Sequence, residues 1–157
     1  MTRNPVTPEG YAALVAELKR QKEVVRPQIV RDIEEARAHG DISENSEYED
    51  AKERQALCEG RIQDLEGKVA SAEVIDIKKL TEEDRVVFGA TVTIANAEGA
   101  ERTWRIVGAD EADVDSGTIS FESPLGRALI GRSEGDEAIV PAPSGRQVWE
   151  IVEVQYR

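Results

Sequence analysis

Two carboxylates three residues apart, Asp41 and Glu44, stand in the segment His39-Gly40-Asp41-Ile42-Ser43-Glu44-Asn45. Where a helix opens at that point, side chains at this spacing converge on one side of its first turn. Paired carboxylate oxygens suit a hard cation such as Mg²⁺, which takes one or two carboxylates and leaves its other positions to water or phosphate. The spacing is also close to a capping box, and acids favour a helix N-terminus in any case. The pair therefore fits a cap, a metal contact, or both at once. Arg37 precedes the segment and Lys52 and Arg54 follow it, a basic spot able to hold a phosphodiester. Ordinary pairing with Glu34, Glu49 or Glu53 is the competing outcome for those cations.

Other chemistry finds little support. His39 is the only histidine, with no partner set for zinc. Cys58 is the only cysteine, so no internal disulfide forms, and its place on an apolar stripe predicts a small buried hydrophobe. There is no phosphate-loop glycine pattern, no dinucleotide fingerprint and no nucleophile–histidine–acid set. A self-contained enzyme is not expected.

The elements that must carry these residues are two long helices. Thr7-Pro8-Glu9 reads as a helix start, with a capping hydroxyl, a proline at the first helical position and then an acid. Apolar residues follow at Tyr11, Leu14, Leu18, Val25, Ile29, Ile33 and Ala36, the gaps of three and four of a packed seam. Pro27 interrupts this stripe and predicts a kink or a restarted helix, and Gly40 ends it. A second stripe runs Tyr48, Ala51, Gln55, Cys58, Ile62, Leu65, Val69 and Ala72. Two such helices joined by a few residues fold back as an antiparallel hairpin. At 1.5 Å per residue, roughly 30 residues make an arm of about 45 Å, long enough to reach into a partner.

From about Ile77 the pattern changes. Short β-branched runs at Val86–Ala95, Thr103–Val107, Thr118–Phe121, Ala138–Val140 and Gln147–Val154 alternate with glycine-rich turns. Ser123-Pro124-Leu125 and Ala128-Leu129-Ile130 read as one short capped helix among them. The expected fold class is α+β: a long N-terminal antiparallel coiled-coil hairpin over residues 1–77, a connector over 78–84, and a small antiparallel β-rich domain with one short helix over 85–157.

Composition narrows the function. The chain has 157 residues and a net charge of −12, with 39% hydrophobic, 33% charged and 4% aromatic residues. Acidic residues outnumber basic ones in both halves, which excludes an autonomous nucleic-acid module. Any contact with DNA or RNA has to come through a partner protein. No apolar run approaches the ~20 residues that span a bilayer, and the N-terminus lacks the apolar core of a secretion signal. With its lone cysteine, the chain is expected in a reducing cytoplasm.

The sequence resembles the bacterial Gre transcript-cleavage (transcription elongation) factors, most closely the GreA members. The resemblance rests on Glu35-Ala36-Arg37-Ala38-His39-Gly40-Asp41-Ile42-Ser43-Glu44-Asn45-Ser46-Glu47-Tyr48 and Cys58-Glu59-Gly60-Arg61-Ile62. It continues through Val87-Phe88-Gly89-Ala90-Thr91-Val92, Arg105-Ile106-Val107-Gly108, Asp110-Glu111-Ala112-Asp113, Ser123-Pro124-Leu125 and Ala128-Leu129-Ile130-Gly131. It implies a coiled-coil hairpin followed by a domain like that of FKBP-type isomerases. That domain would dock at the rim of the secondary channel of bacterial RNA polymerase through Glu122, Ser123 and Pro124. The hairpin would reach the active centre, where Asp41 and Glu44 help hold a second Mg²⁺ and a water, with no cofactor of the factor's own. The polymerase itself then hydrolyses the transcript of a backtracked complex and releases short 3′ RNA fragments. Arg37 and Lys52 would touch the RNA 3′ end. Lys52 stands where the family often has arginine, so the charge is kept and the planar bidentate fork is lost.

Such a factor is expected to be a cytoplasmic monomer that is not itself an enzyme. An inhibitor of polymerase on the same scaffold is the nearest alternative. A prolyl isomerase or chaperone, drawing on Phe88, Trp104, Phe121, Trp149 and Tyr156, and a passive adaptor stand further off.

Overall fold

The computed structural model describes residues 3–40, 45–79 and 84–157. They fall into two compact units: Tyr11–Ala72 makes one, and Arg3–Gly10 with Glu73–Arg157 makes the other. The expected hairpin of residues 1–77 is thus shorter at both ends. The strands β1 (Asn4–Val6) and β2 (Ala72–Val74) pair with each other, and the Ile75 N–H donates to the Val6 carbonyl at 2.9 Å. The residues just outside the hairpin are thereby tied into the second unit.

The first unit is helical throughout. Helix α1 (Pro8–Arg20) begins as the sequence predicts, with Thr7 Oγ1 accepting from the Gly10 N–H at 3.0 Å. Helix α2 spans Arg26–Ala38 and helix α3 spans Ser46–Ser71. Between α1 and α2 the chain does not break at Pro27 but widens into a π-helical turn over Gln21–Val25. In a regular α-helix the Pro27 ring would press on the carbonyl four residues back. The added residue of the π turn relieves that crowding, and the Arg26 N–H donates to the Gln21 carbonyl five residues earlier. Backbone angles stay helical on both sides, at φ −60°, ψ −45° for Arg20 and φ −57°, ψ −50° for Arg26.

The hairpin seam follows the two stripes. Ile29, Cys58 and Ile62 form its buried centre, with Leu18, Val25 and Ile33 packed around them. Toward the loop the buried positions are small, Ala36 and Ala51. Among the described residues of the hairpin, one polar side chain is buried: Gln21, beside the centre. Its Nε2 donates to Glu17 at 2.9 Å, and its Oε1 lies 3.5 Å from the Cys58 sulfur, so the amide is satisfied without water. Ion pairs flank the seam. Arg26 grips Glu59 through two hydrogen bonds of 2.8 and 2.7 Å, Lys22 meets Glu66 at 3.6 Å, and Arg54 meets Asp32 at 3.0 Å.

In the second unit a five-stranded sheet runs in the order β5-β4-β3-β7-β6. Its strands are β3 (Thr91–Ala95), β4 (Glu101–Val107), β5 (Thr118–Ser120), β6 (Glu137–Ala142) and β7 (Gly145–Gln155). All pairings are antiparallel except β4 with β5, which run parallel because the connection through the 3₁₀ turn Val114–Ser116 carries the chain back before β5 begins. The expected strand over Val86–Ala95 starts only at Thr91. Ahead of it, Val86 exchanges backbone hydrogen bonds with Arg132 and Gly131, and Gly89 turns the chain at φ +89°. The Val86 peptide groups are thus spent on a loop, and only from Gly89 and Ala90, which bond to Ile106 of β4, does the chain join the sheet. Helix α4 (Pro124–Leu129) buries Leu129 in a core with Val92, Ile94, Ile106, Ile119 and Ile151.

The hairpin has a thin core, so its stability is concentrated in few side chains. Ile62, 1% exposed, has neighbours on both helices of the seam. Ile62→Ala is expected to cost about 3 kcal/mol by lost transfer energy and a residual cavity. Chemical denaturation followed by helical circular dichroism would measure it, and a cost below about 1 kcal/mol would contradict the packing described.

Candidate functional site

The far end of the hairpin is built from the last turn of α2 and the first turns of α3. His39 closes α2, its N–H donating to the Ala36 carbonyl at 3.2 Å, and Gly40 follows in the left-handed region at φ +114°, the stop that the sequence predicts. Asp41 and Glu44 lie outside the described residues. The N-cap of α3 is Asn45, whose Oδ1 accepts from the Tyr48 N–H at 3.1 Å as the helix starts at Ser46. The Asn45 Nδ2 also donates to the Ala36 carbonyl on the opposite helix at 2.6 Å. Across the same gap His39 Nδ1 lies 3.0 Å from Glu47 Oε2.

The basic residues behind the loop divide into two groups. Arg54 is neutralised by Asp32 at 3.0 Å and by Asp50 at 3.2 Å. The Asp32 carboxyl is held below its ordinary range by hydrogen bonds from Gln28 and Arg54, and the Arg54 guanidinium is raised chiefly by its bond to Asp32. This cluster lines a shallow acidic cleft of about 230 Å³ with Glu35, Glu47 and Asp50. Arg37 and Lys52 line a separate cleft of about 230 Å³, together with Val30, Ile33, Glu34, Tyr48 and Gln55. Neither forms an ion pair among the described residues. The Arg37 guanidinium stands 6.0 Å over the Tyr48 ring, and Lys52 Nζ donates to Gln55 Oε1 at 3.0 Å. A guanidinium over an aromatic face keeps its charge and its donors available while losing side-chain freedom. The structure therefore brings Arg37 and Lys52 together, as the sequence suggests, and takes Arg54 out of the group. Among the described residues no cluster of three or more His, Cys, Asp or Glu side chains is placed to hold a metal ion.

In the second unit, Glu122, Ser123 and Pro124 form an exposed corner where β5 hands over to α4. Ser123 caps the helix, its Oγ accepting from the Gly126 N–H at 3.0 Å while donating to the Ser120 carbonyl at 2.7 Å. The Glu122 N–H donates to Ser120 Oγ at 3.0 Å. The side chains of Glu122 and Pro124 are left outward, and a surface fixed by three such bonds is a rigid one to present. The aromatic residues of this unit are spent on packing: Trp104, Phe121, Trp149 and Tyr156 cover the core, and Phe88 meets Phe121 edge-on at 5.8 Å. That leaves little from which to line an apolar proline pocket.

Sequence reasoning passed over Asn45, Gln21 and Glu111. Glu111 accepts from the Thr7 N–H and the Gly108 N–H, both at 3.0 Å, and so holds the chain's start to the β unit. Only Asn45 left a usable signal, a capping residue directly before Ser46-Glu47 and the second stripe.

A two-helix hairpin followed by a small mixed-sheet domain with an exposed corner defines the class as a two-domain α+β chain. Comparison with known proteins makes the class specific. The family model described as "Transcription elongation factor, N-terminal" matches residues 4–74, and "Transcription elongation factor, GreA/GreB, C-term" matches residues 81–156. The "Transcription elongation factor GreA" of Hyphomonas neptunium is 56% identical over the whole of both chains, and that of a Psychrobacter species is 53% identical over the same span. The solved structure of the GreA factor homolog 1 (Gfh1) protein of Thermus thermophilus aligns over 98% of this chain and 99% of its own at 26% identity, with a TM-score of 0.43. The chain belongs to the GreA/GreB family of transcription elongation factors.

The exposed corner depends on one close approach. A Cβ on Gly126 would lie 2.3 Å from the Ser120 carbonyl oxygen, the same oxygen that Ser123 uses. Gly126→Ala is expected to destabilise the β unit by roughly 1–3 kcal/mol. Thermal unfolding monitored at Trp104 and Trp149 would register it as a lowered midpoint, and an unchanged midpoint would contradict the geometry.

Proposed function

We propose that this elongation factor stimulates transcript cleavage by bacterial RNA polymerase. The hairpin enters the secondary channel of a backtracked complex, and the corner at Glu122, Ser123 and Pro124 contacts the channel rim. The observation that favours this reading is that Arg37 and Lys52, which form no ion pair among the described residues, share one cleft near the loop of a chain whose net charge is −12. In an acidic molecule, cations left unneutralised in one cleft suit an external anion, and the extruded RNA 3′ end supplies phosphodiesters.

The residues have separate tasks. Arg37, steadied over Tyr48, and Lys52 hold the RNA backbone. Asp41 and Glu44 add carboxylate oxygens, a donor set that suits Mg²⁺. A second Mg²⁺, held jointly with the polymerase, would supply a polarised water and neutralise phosphate charge. Asp41 and Glu44 would be the residues of this chain that hold that ion, while the bond is broken in the polymerase's own active centre. The chain acts as a monomer in the cytoplasm and turns over no substrate alone. Among its described residues no helix is long and apolar enough to cross a membrane.

A stalled, backtracked polymerase complex with end-labelled RNA tests this reading. The wild-type chain is expected to shorten the RNA rapidly, and the Asp41→Asn, Glu44→Gln double variant to bind polymerase equally but lose at least about tenfold in rate. Arg37→Ala, Lys52→Ala should raise the concentration needed for half-maximal cleavage. A wild-type chain that binds and slows the polymerase without shortening the RNA would instead make it an inhibitor on the same scaffold.

A further inference from the structure

One face of the five-stranded sheet is turned away from the core, and its register assigns the residues on it. In an antiparallel pair, residues directly opposite each other share a face. On β6 and β7 the outward pairs are Glu137 with Glu150, Ile139 with Val148 and Pro141 with Arg146, while Ala138 and Val140 between them are buried. The first row runs on across the sheet, because Ala95 stands opposite Glu150 on one side and Glu101 on the other. Thr93 brings Glu153 to the same face. Glu101, Glu137, Glu150 and Glu153 are all exposed, and they form no ion pair among the described residues. The cations of this face stand at its ends: Arg105 is committed to Glu9 at 3.3 Å, and Arg146 lies beside Gly145 where β7 begins.

Glu137 and Glu150 have Cβ atoms about 5 Å apart, and like charges directly opposite destabilise a sheet. Next to them Ile139 and Val148 are 53% and 46% exposed, and Val152 is 46% exposed further along β7. Between Glu137, Val148 and Glu150 the surface dips into a shallow cleft of about 160 Å³. One kind of group relieves both the repulsion and the exposed apolar pair: a cation on an apolar stem. Arginine suits it well, since its guanidinium bonds carboxylates as a planar fork while its stem packs on apolar surface. Pro141 takes an N–H from the β6 edge, which disfavours the addition of a further strand and leaves recognition to side chains. The corner at Glu122, Ser123 and Pro124 supplies only a small part of the about 800 Å² that each partner buries in a stable interface, which leaves room for a further contact on the same unit.

We propose that this acidic and apolar face of β6 and β7 is a second docking surface, and that it takes a segment of RNA polymerase presenting an arginine beside an apolar side chain. The guanidinium lies between Glu137 and Glu150, and its apolar neighbour covers Ile139 and Val148. The proposal rests on the reading above that polymerase is the partner.

The labelled chain, titrated with backtracked polymerase at several salt concentrations and followed by fluorescence anisotropy, tests it, with RNA shortening measured at saturation. Glu137→Gln, Glu150→Gln removes a repulsion, so its thermal midpoint should equal or exceed that of wild type and lost binding cannot be ascribed to unfolding. This variant is expected to bind about tenfold more weakly and with a shallower salt dependence, while cleaving at the wild-type rate once saturated. Ile139→Thr, Val148→Thr keeps strand-forming residues and should weaken binding with the salt dependence unchanged. Glu73→Gln, Asp115→Asn makes the same change of charge elsewhere on the unit and should bind as wild type does. Wild-type affinity in the Glu137, Glu150 variant would overturn the proposal. An equal loss in the Glu73, Asp115 variant would do the same, because net charge alone would then account for it. Unchanged polymerase affinity with loss of self-association in sedimentation would give the face to a second copy of the chain and overturn the proposal too. If the variants are weakened as expected but the wild type shortens no RNA, the docking face stands and the cleavage function falls. A wild-type chain that does not bind polymerase overturns both.

Discussion

Two helices can deliver a loop to a fixed point only if they cannot slide past each other, and everything at the tip of this chain depends on that register. The apolar seam is too thin to set it alone, since Ile29, Cys58 and Ile62 would tolerate a shifted set of neighbours. The charges flanking the seam are less tolerant. Lys22 with Glu66, Arg26 with Glu59 and Asp32 with Arg54 step down one helix as they step up the other. Each exposed pair contributes at most about 1 kcal/mol, but a slipped register would break all of them together and set like charges opposite one another. The π turn belongs to the same constraint. By absorbing Pro27 without a break, it keeps the stripe before residue 21 and the stripe after residue 25 on one seam.

Register in turn sorts the charge at the tip. Arg54 is committed to Asp32 and Asp50, so the flank it stands on stays acidic, with Glu35 and Glu47 lining the same cleft. Arg37 and Lys52 on the other flank have an aromatic ring and an amide as neighbours, which hold them in place without cancelling their charge. In a strongly acidic protein, two cations that form no ion pair among the described residues thus share one cleft of the hairpin. That combination suits a nucleic-acid end already delivered by another protein and would be too weak to capture one from solution.

Much of this was legible in the sequence because periodicity reports burial directly. The second stripe, from Tyr48 through Ala51, Cys58, Ile62 and Leu65, lies along the seam, and Thr7, Gly40 and Ser123 act at the helix ends as their chemistry suggests. What escaped were polar residues in buried or bridging places. Gln21 interrupts an apolar pattern yet is buried, because Glu17 and Cys58 satisfy its amide, and those partners are set by tertiary packing. Asn45 was overshadowed by the neighbouring acids. The parallel pairing of β5 and the late start of β3 were hidden because side-chain alternation carries no strand direction and does not reveal which backbone groups a loop will claim.

The central claim is that the acids of the loop add to the metal-holding power of another protein's active centre. The most direct measurement is the Mg²⁺ concentration at which a backtracked polymerase reaches half its maximal cleavage rate, with and without this chain. The account predicts that the wild-type chain lowers that concentration and that the Asp41→Asn, Glu44→Gln variant does not. A cleavage rate that rises with the wild-type chain while the Mg²⁺ dependence stays fixed would contradict it.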